Sequence, residues 1–310
     1  MYKEIINPIV SIGLPVYNME SSLRKTFESI LSQTFTDFEL IISDNASTDS
    51  TSEICKEFER KDKRIRYVRQ ENNMGPWWNY KFVVKEAKCD YFVWAAADDQ
   101  MSNNYLESNL EVIKKTKNCI GSVGKTNYFG ALIEEIKFVS NDPLGRKINK
   151  RIRRWLASSF IDSFQGTYNE KIRMALKWPG AGLFYYGVFK TDIFQKSIPK
   201  EKFFAVESMF LLNLIKYGDI ILNNDTSMEK FIGRGTESAS GMFHLLRNYE
   251  TNFFTTIFPM LPFTIWVLKK FGIKLFLRNL DGILEWNFKM ELFLAYSIFK
   301  KLKGDTLEKL

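Results

Sequence analysis

Two adjacent carboxylates, Asp98 and Asp99, close the apolar run 91–97 (YFVWAAA). Neighbouring acids repel unless a cation or a hydrogen-bond donor compensates them. One solution is a hard divalent ion, Mg²⁺ or Mn²⁺, held by a carboxylate and completed by water and diphosphate oxygens. The other is a solvated turn or helix cap. Asp44 stands in the same position after a second apolar run, 38–43 (FELIIS). A carboxylate there can accept the imide hydrogen of uracil or thymine, or a ribose hydroxyl, or it can cap an Asx turn. Pro15-Val16-Tyr17-Asn18 follows a third run, 9–14 (IVSIGL), and sets a rigid turn and a ring beside the same edge. The Tyr17 ring can stack on a base or pack in its own loop.

These residues need elements to carry them. The runs 9–14, 38–43 and 91–97 read as buried strands, and the alternating 64–69 (RIRYVR) reads as another. Between them, Leu23, Phe27, Ile30 and Leu31 share one helical face after a Ser21 or Ser22 cap. DNASTDSTSEICKEFERKD reads as loop, cap and helix, ENNMGP is a turn before a helix reaching Lys88, and 103–116 is helical. Alternating strands and helices argue for a mostly parallel α/β sheet with helices on both faces, and continuous apolar strands for a sheet covered on both sides. Ligands of such sheets bind beyond the carboxyl ends of the strands, where Pro15–Asn18, Asp44–Asp49 and Asp98–Gln100 come together. Beyond this, 121–130 predicts a strand and turn, and 203–217 (FFAVESMFLLNLIKY) a buried helix with an acid near its start.

Composition narrows the function classes. The 310 residues are 45% hydrophobic and 26% charged, a folding composition. The net charge of +8 suits an anionic ligand or membrane surface. Without zinc-finger spacing or an RNA-binding signature, no nucleic-acid partner is expected. Cys55, Cys89 and Cys119 are odd in number and widely spaced, which fits reduced structural thiols better than a disulfide framework. The first residues lack a signal-peptide layout. After Phe243 the chain becomes aromatic and basic: 253–268 (FFTTIFPMLPFTIWVL) is interrupted by Pro259 and Pro262 and followed by Lys269 and Lys270. This suits an element lying in a membrane interface better than one spanning it. The expected address is therefore cytoplasmic, peripheral to the inner face of the plasma membrane. A homodimer interface is the other use of such a surface.

VSIGLPVYN, then SILSQTFTDFELIISDNASTD, then ENNMGPWWNYKFVVKEAKCDYFVWAAADDQ occur in order at spacings that resemble the inverting family-2 glycosyltransferases of the GT-A fold. The likeness is strong over 9–115, weaker to about 240, and absent beyond. It implies a GT-A domain over 1–240 and a helical extension over 241–310. It further implies that Pro15, Tyr17, Asn18 and Asp44 bind the nucleoside. Asn73, Gly75 and Asn79 would lie beside the donor, with Asp98 near ribose or sugar and Asp99 on the metal. Trp77, Trp78 and Lys81 flank Asn79 where many members carry an Arg.

The resemblance also calls for a general base. Glu207 fits the family's place for it, and a carboxylate among Phe203, Phe204, Met209 and Phe210 would have a raised pKa. A helix-start Glu favoured by the dipole is the alternative. Arg234 matches a diphosphate-binding Arg, whereas the family's nearby His is missing and His244 lies several residues late. Gly180-Ala181-Gly182 is either an acceptor-pocket wall or a tight turn, and Arg151, Arg153 and Arg154 are either an anion contact or a solvated face.

The implied activity is a hexosyltransferase-like transfer from a nucleotide-diphosphate sugar, such as a UDP-sugar, to a hydroxyl of a glycan or polyprenyl-linked acceptor, with inversion and a divalent metal. The rivals are a catalytically degenerate nucleotide-sugar-binding scaffold, which the missing His leaves open, and a nucleotidyltransferase. The latter usually shows a basic Gly-rich loop where this chain has PVYNMESS.

Overall fold

The structure is a computed structural model that describes residues 8–129, 163–176, 181–201, 203–231 and 253–302. Arg234, His244, the basic run at 151–154 and Gly180 lie outside these residues.

Four parallel strands form the first half of the sheet. β1 (Val10–Val16) lies between β2 (Phe38–Asp44) and β4 (Tyr91–Trp94), with β3 (Ile65–Arg69) outside β2. All seven residues of β1 are buried, as a strand covered on both faces requires. Helices α1 (Leu23–Leu31), α2 (Thr51–Lys61) and α3 (Pro76–Glu86) make the crossovers. Leu23, Phe27 and Ile30 seat α1 on the core. Gly75 takes φ 84° ahead of Pro76, a backbone that L side chains avoid, and Pro76 fits the open first turn of α3. Gly13 allows α3 to approach β1: a Cβ there would lie 2.7 Å from the Phe92 ring and 2.8 Å from Val83.

The sequence predicts that the first strand stops before Pro15, yet β1 runs through it. Tyr91 N donates to Ile9 O and Ala95 N to Gly13 O, so odd-numbered backbone groups of β1 face β4. Strand β4 ends at Trp94, hence Pro15 meets no partner on that side and its missing N–H forfeits nothing.

The second half is mixed. After β5 (Gln100–Met101) come α4 (Tyr105–Lys115), β6 (Cys119–Phe129), α5 (Tyr168–Leu176), a 3₁₀ turn (Ala181–Tyr186), β7 (Val188–Lys190), α6 (Thr191–Ser197), α7 (Val206–Leu214) and β8 (Asp219–Phe231). The strand order is β3-β2-β1-β4-β7-β6-β8-β5, with β7 antiparallel to β4 and β6, and β5 antiparallel to β8. Trp94, fully buried, is ringed by Tyr80, Phe92, Tyr185, Phe194 and Phe210. It anchors the end of β4, three alanines ahead of the acidic pair. Cys55, Cys89 and Cys119 are free and buried.

The C-terminal helices are α8 (Phe253–Ile257), α9 (Leu261–Arg278), kinked at Gly272, and α10 (Leu280–Leu302). They pack on the same core through Met260, Phe263, Trp266, Val267, Ile283 and Trp286. Trp266 Nε1 donates to Glu201 and Lys270 to Asn213, which ties α9 to α7 and the loop before it. Their outer side leaves Ile273, Leu277, Leu284 and Phe288 exposed. Among the described residues no helix is long and apolar enough to cross a membrane.

Candidate active site

The chain leaves β1 towards β2 and β3 on one side, then returns to β4 on the other. The order therefore switches between β1 and β4, where open α/β sheets bind ligands. The loops after β1, β2 and β4 meet there.

The first two are stitched together. Asn18 N donates to Ser47 Oγ, and the Asn18 amide oxygen accepts Thr48 N at 2.8 Å. Asn18 (φ 52°) and Ala46 (φ 62°) both hold left-handed backbone that non-glycine residues rarely adopt. Asn45 Nδ2 donates to Asn73 Oδ1, Met74 N donates to Asn45 Oδ1, and Asn79 Nδ2 donates 2.8 Å to Ser43 O. Asn73, Gly75 and Asn79, expected beside the donor, thus hold the loop framework. The Asn79 Oδ1 acceptor is buried without a partner. Tyr17 extends from this framework with 43% of its surface exposed, free to offer its ring face.

Asp44 ends β2 fully buried, with 0% exposure. Its Oδ2 accepts the Tyr67 hydroxyl and Arg69 Nη1, both at 2.7 Å, and its Oδ1 accepts Ser47 N at 2.8 Å. Three of about four acceptor sites are filled within the protein, so Asp44 organises the loop and directs Arg69. Burial raises the Tyr67 phenol to about 12, and its bond to the Asp44 anion adds to the rise. Arg69, exposed at the sheet edge, is a site residue absent from the sequence expectations. Its signal was present: in the alternating RIRYVR, Tyr67 and Arg69 share a face, and Arg69 pairs in register with Asp44.

After β4 the chain turns at Ala96–Asp99, with Asp99 N donating to Ala96 O. Asp98 is half-buried, whereas Asp99 is 4% exposed. Asp99 Oδ2 pairs with Lys230 Nζ at 3.0 Å, and Oδ1 accepts Phe231 N at 3.1 Å. Lys230 also lies 4.2 Å from the centroid of the Tyr186 ring. The local sequence gave no sign of this partner, which arrives on β8 from 131 residues away. A divalent ion coordinating Asp99 Oδ2 would sit roughly 4 Å from that ammonium, where two unit charges near a surface repel by about 4 kcal/mol and a double charge by about twice that. Among the described residues no three His, Cys, Asp or Glu side chains cluster to offset the repulsion. As placed, Asp99 does not fit a resident divalent ion.

Glu207 is the candidate general base. It opens α7 behind Ala205, a non-glycine residue at φ 72°. Together with Phe204, Ser208, Met260, Trp286 and Met290 it lines a cavity of roughly 90 Å³. The C-terminal helices therefore supply one wall. The acids after β4 do not line this cavity, and Trp286 Nε1 is buried there without a partner.

Comparison with known proteins supplies a context for this geometry. The sequence model of glycosyl transferase family 2 matches residues 11–173. The chain is 24% identical over 211 residues to a Campylobacter jejuni GalNAc(5)-diNAcBac-PP-undecaprenol beta-1,3-glucosyltransferase, covering 67% of this chain and 60% of that one. Glycosyltransferases of Streptococcus pneumoniae and Haemophilus influenzae align at 31–36% identity, but the match spans only 17–41% of their length. The fold is similar to Staphylococcus aureus TarS in complex with UDP-GlcNAc (TM-score 0.54, 17% identity, 75% of this chain and 61% of that one). It is also similar to the Pyrobaculum calidifontis mannosyltransferase PcManGT in complex with GDP-Man and Mn²⁺ (TM-score 0.54, 12% identity, 97% and 88%).

Proposed function

The chain belongs to glycosyl transferase family 2, its family match covering more than half of its length, and on that premise we propose that it transfers a sugar from a nucleoside diphosphate, UDP foremost, to an acceptor hydroxyl with inversion. One observation carries this reading: the matched segment folds so that the loops after β1, β2 and β4 converge at the switch point of the sheet. Tyr17 offers the nucleoside a ring face, Arg69 an exposed guanidinium, and Asp98 a carboxylate to the ribose or sugar. Arg234 remains a proposed diphosphate ligand on the family's pattern. A neighbour of the same fold is in complex with UDP-GlcNAc, which supports a UDP-sugar donor.

In the proposed step the acceptor oxygen forms a bond to the anomeric carbon, and the bond from that carbon to the diphosphate breaks. The bonding pair leaves with the nucleoside diphosphate, and the acceptor proton passes to Glu207. Attack opposite the leaving group inverts the anomeric centre. Mg²⁺ or Mn²⁺ enters none of these steps, because Asp99 already has a cation beside it.

The acceptor reading is lipid-linked. The Campylobacter relative is named for a PP-undecaprenol substrate, and here the Glu207 cavity is walled by helices whose outer side is apolar. A membrane surface or a second copy of the chain would cover Ile273, Leu277, Leu284 and Phe288.

The test is a thermal-shift panel of UDP-, dTDP- and GDP-sugars, since a ligand of the folded state raises its apparent stability. A shift with one nucleotide and not the others supports the donor assignment. No shift with any of them removes it.

A further inference from the structure

We propose that Lys230 is the resident cation of the donor site, holding Asp99 and binding the donor diphosphate in place of a divalent metal ion. The inference rests on the nucleotide-sugar reading of that site.

Its basis is a built arrangement. Asp99 is buried and both of its oxygens are occupied, Oδ2 by the Lys230 ammonium and Oδ1 by the amide of the next residue, Phe231. Two consecutive residues of β8 therefore clamp one carboxylate. β8 is fixed at this height by its pairing with β5, where Gln100, next to Asp99, pairs with Glu229, next to Lys230. The register itself delivers the ammonium to the acid. On its other side Lys230 rests over the Tyr186 ring at 4.2 Å, and ring faces attract cations. Tyr186 is buried, its phenol held well above 10 by that burial, so the ring stays neutral beneath the charge.

An ammonium has three donors. One is used on Asp99, the ring covers a second side, and 17% of the side chain stays exposed. That remaining face is the one a diphosphate oxygen can reach. As the bond from the anomeric carbon to the diphosphate breaks, negative charge grows on the departing oxygen. Lys230 stabilises it by a charge-assisted hydrogen bond while keeping its own protons.

The experiment uses the full-length protein. UDP, dTDP and GDP are titrated by calorimetry in EDTA and again with Mn²⁺. Mn²⁺ binding without nucleotide is followed by electron paramagnetic resonance. The wild type should bind its preferred nucleotide with affinities within about twofold in the two buffers and should bind no Mn²⁺ alone. Lys230→Ala should bind about tenfold to a hundredfold more weakly in EDTA, and Mn²⁺ should restore that variant because Asp99 is opened to it. Lys230→Arg keeps the charge and should retain metal-free binding. Should Lys230→Ala fail to fold, the Lys230→Met, Asp99→Asn pair leaves no buried charge and should show the same weakening without rescue. The inference is overturned if Mn²⁺ strengthens wild-type nucleotide binding by about tenfold or more, if the wild type binds Mn²⁺ alone, or if loss of Lys230 leaves metal-free affinity unchanged. Metal-dependent binding sinks this inference and leaves the donor reading standing, whereas no binding of any nucleotide in either buffer sinks both.

Discussion

Arg69 Nη1 donates to Asp44 Oδ2 across 2.7 Å while its other arm, Nη2, donates 2.8 Å to the carbonyl of Ser47. One guanidinium thus joins the end of β3 to the acid ending β2 and to the loop that follows. The buried carboxylate accepts in all from a guanidinium, a phenol and an amide. Removing it in Asp44→Ala leaves the Ser47 amide unpaired and the Tyr67 phenol with Ser52 alone, and should cost about 3 kcal/mol of stability in urea unfolding. Arg69→Met spares the other two bonds and should cost about 1.5 kcal/mol, with nucleotide affinity falling alongside.

The same cluster sets an alkaline limit. The Tyr67 phenol titrates near 12, up from its ordinary 10, so the folded state holds that proton more tightly than the unfolded one. Its stabilising contribution is therefore complete below pH 10 and is lost as pH rises towards 12. Unfolding followed across that window should show a downward slope in the wild type that is shallower in Tyr67→Phe.

Glu207→Gln keeps size and removes the capacity to take a proton. Sugar transfer should fall by about a hundredfold or more, while calorimetric affinity for the donor stays at the wild-type value. Donor affinity falling in parallel with turnover would place Glu207 in the donor site instead.

Gly13→Ala tests the approach of α3 to β1. The added carbon would meet Phe92 and Val83 below 3 Å. Since a packed interior yields only by shifting, about 1–3 kcal/mol should be lost, read as a lower urea midpoint.

Replacing Ile273, Leu277, Leu284 and Phe288 together by Ser leaves the buried side of the C-terminal helices intact. The variant should retain its melting temperature and lose flotation with anionic liposomes. Unchanged flotation in a folded variant would remove the membrane reading of that surface.

The legible parts of the fold were those whose residues carry a strong pattern. Val10–Leu14, Phe38–Ser43 and Tyr91–Trp94 are continuous apolar runs, and buried parallel strands have that composition. β7 has only Val188–Lys190 to announce it, and β8 reads DIILNNDTSMEKF, polar enough to hide a strand whose pairing with β6 is interrupted by a bulge. The run 91–97 predicted a longer strand, but pairing stops at Trp94 and Ala95–Ala97 lead into the turn. Asp44, Asp98 and Asp99 were visible because strand ends and acids are both local features. Their partners divide by distance: Arg69 could be found from alternation within β3, whereas Lys230 required a β8 register that no local pattern encodes.

The clamp on Asp99 also bears on how the protein reaches its working form. Asp99 and its two partners are separated by 131 and 132 residues, so this contact closes one of the long loops of the chain. Non-local pairings of this kind form late, after the entropy of loop closure has been met. During synthesis the segment that carries the family match, 11–173, leaves the ribosome well before Lys230. Until β8 docks, a nascent chain has its acidic pair without the counter-charge. On the proposed reading, the donor site is thus complete only once the second half of the chain has folded onto the first.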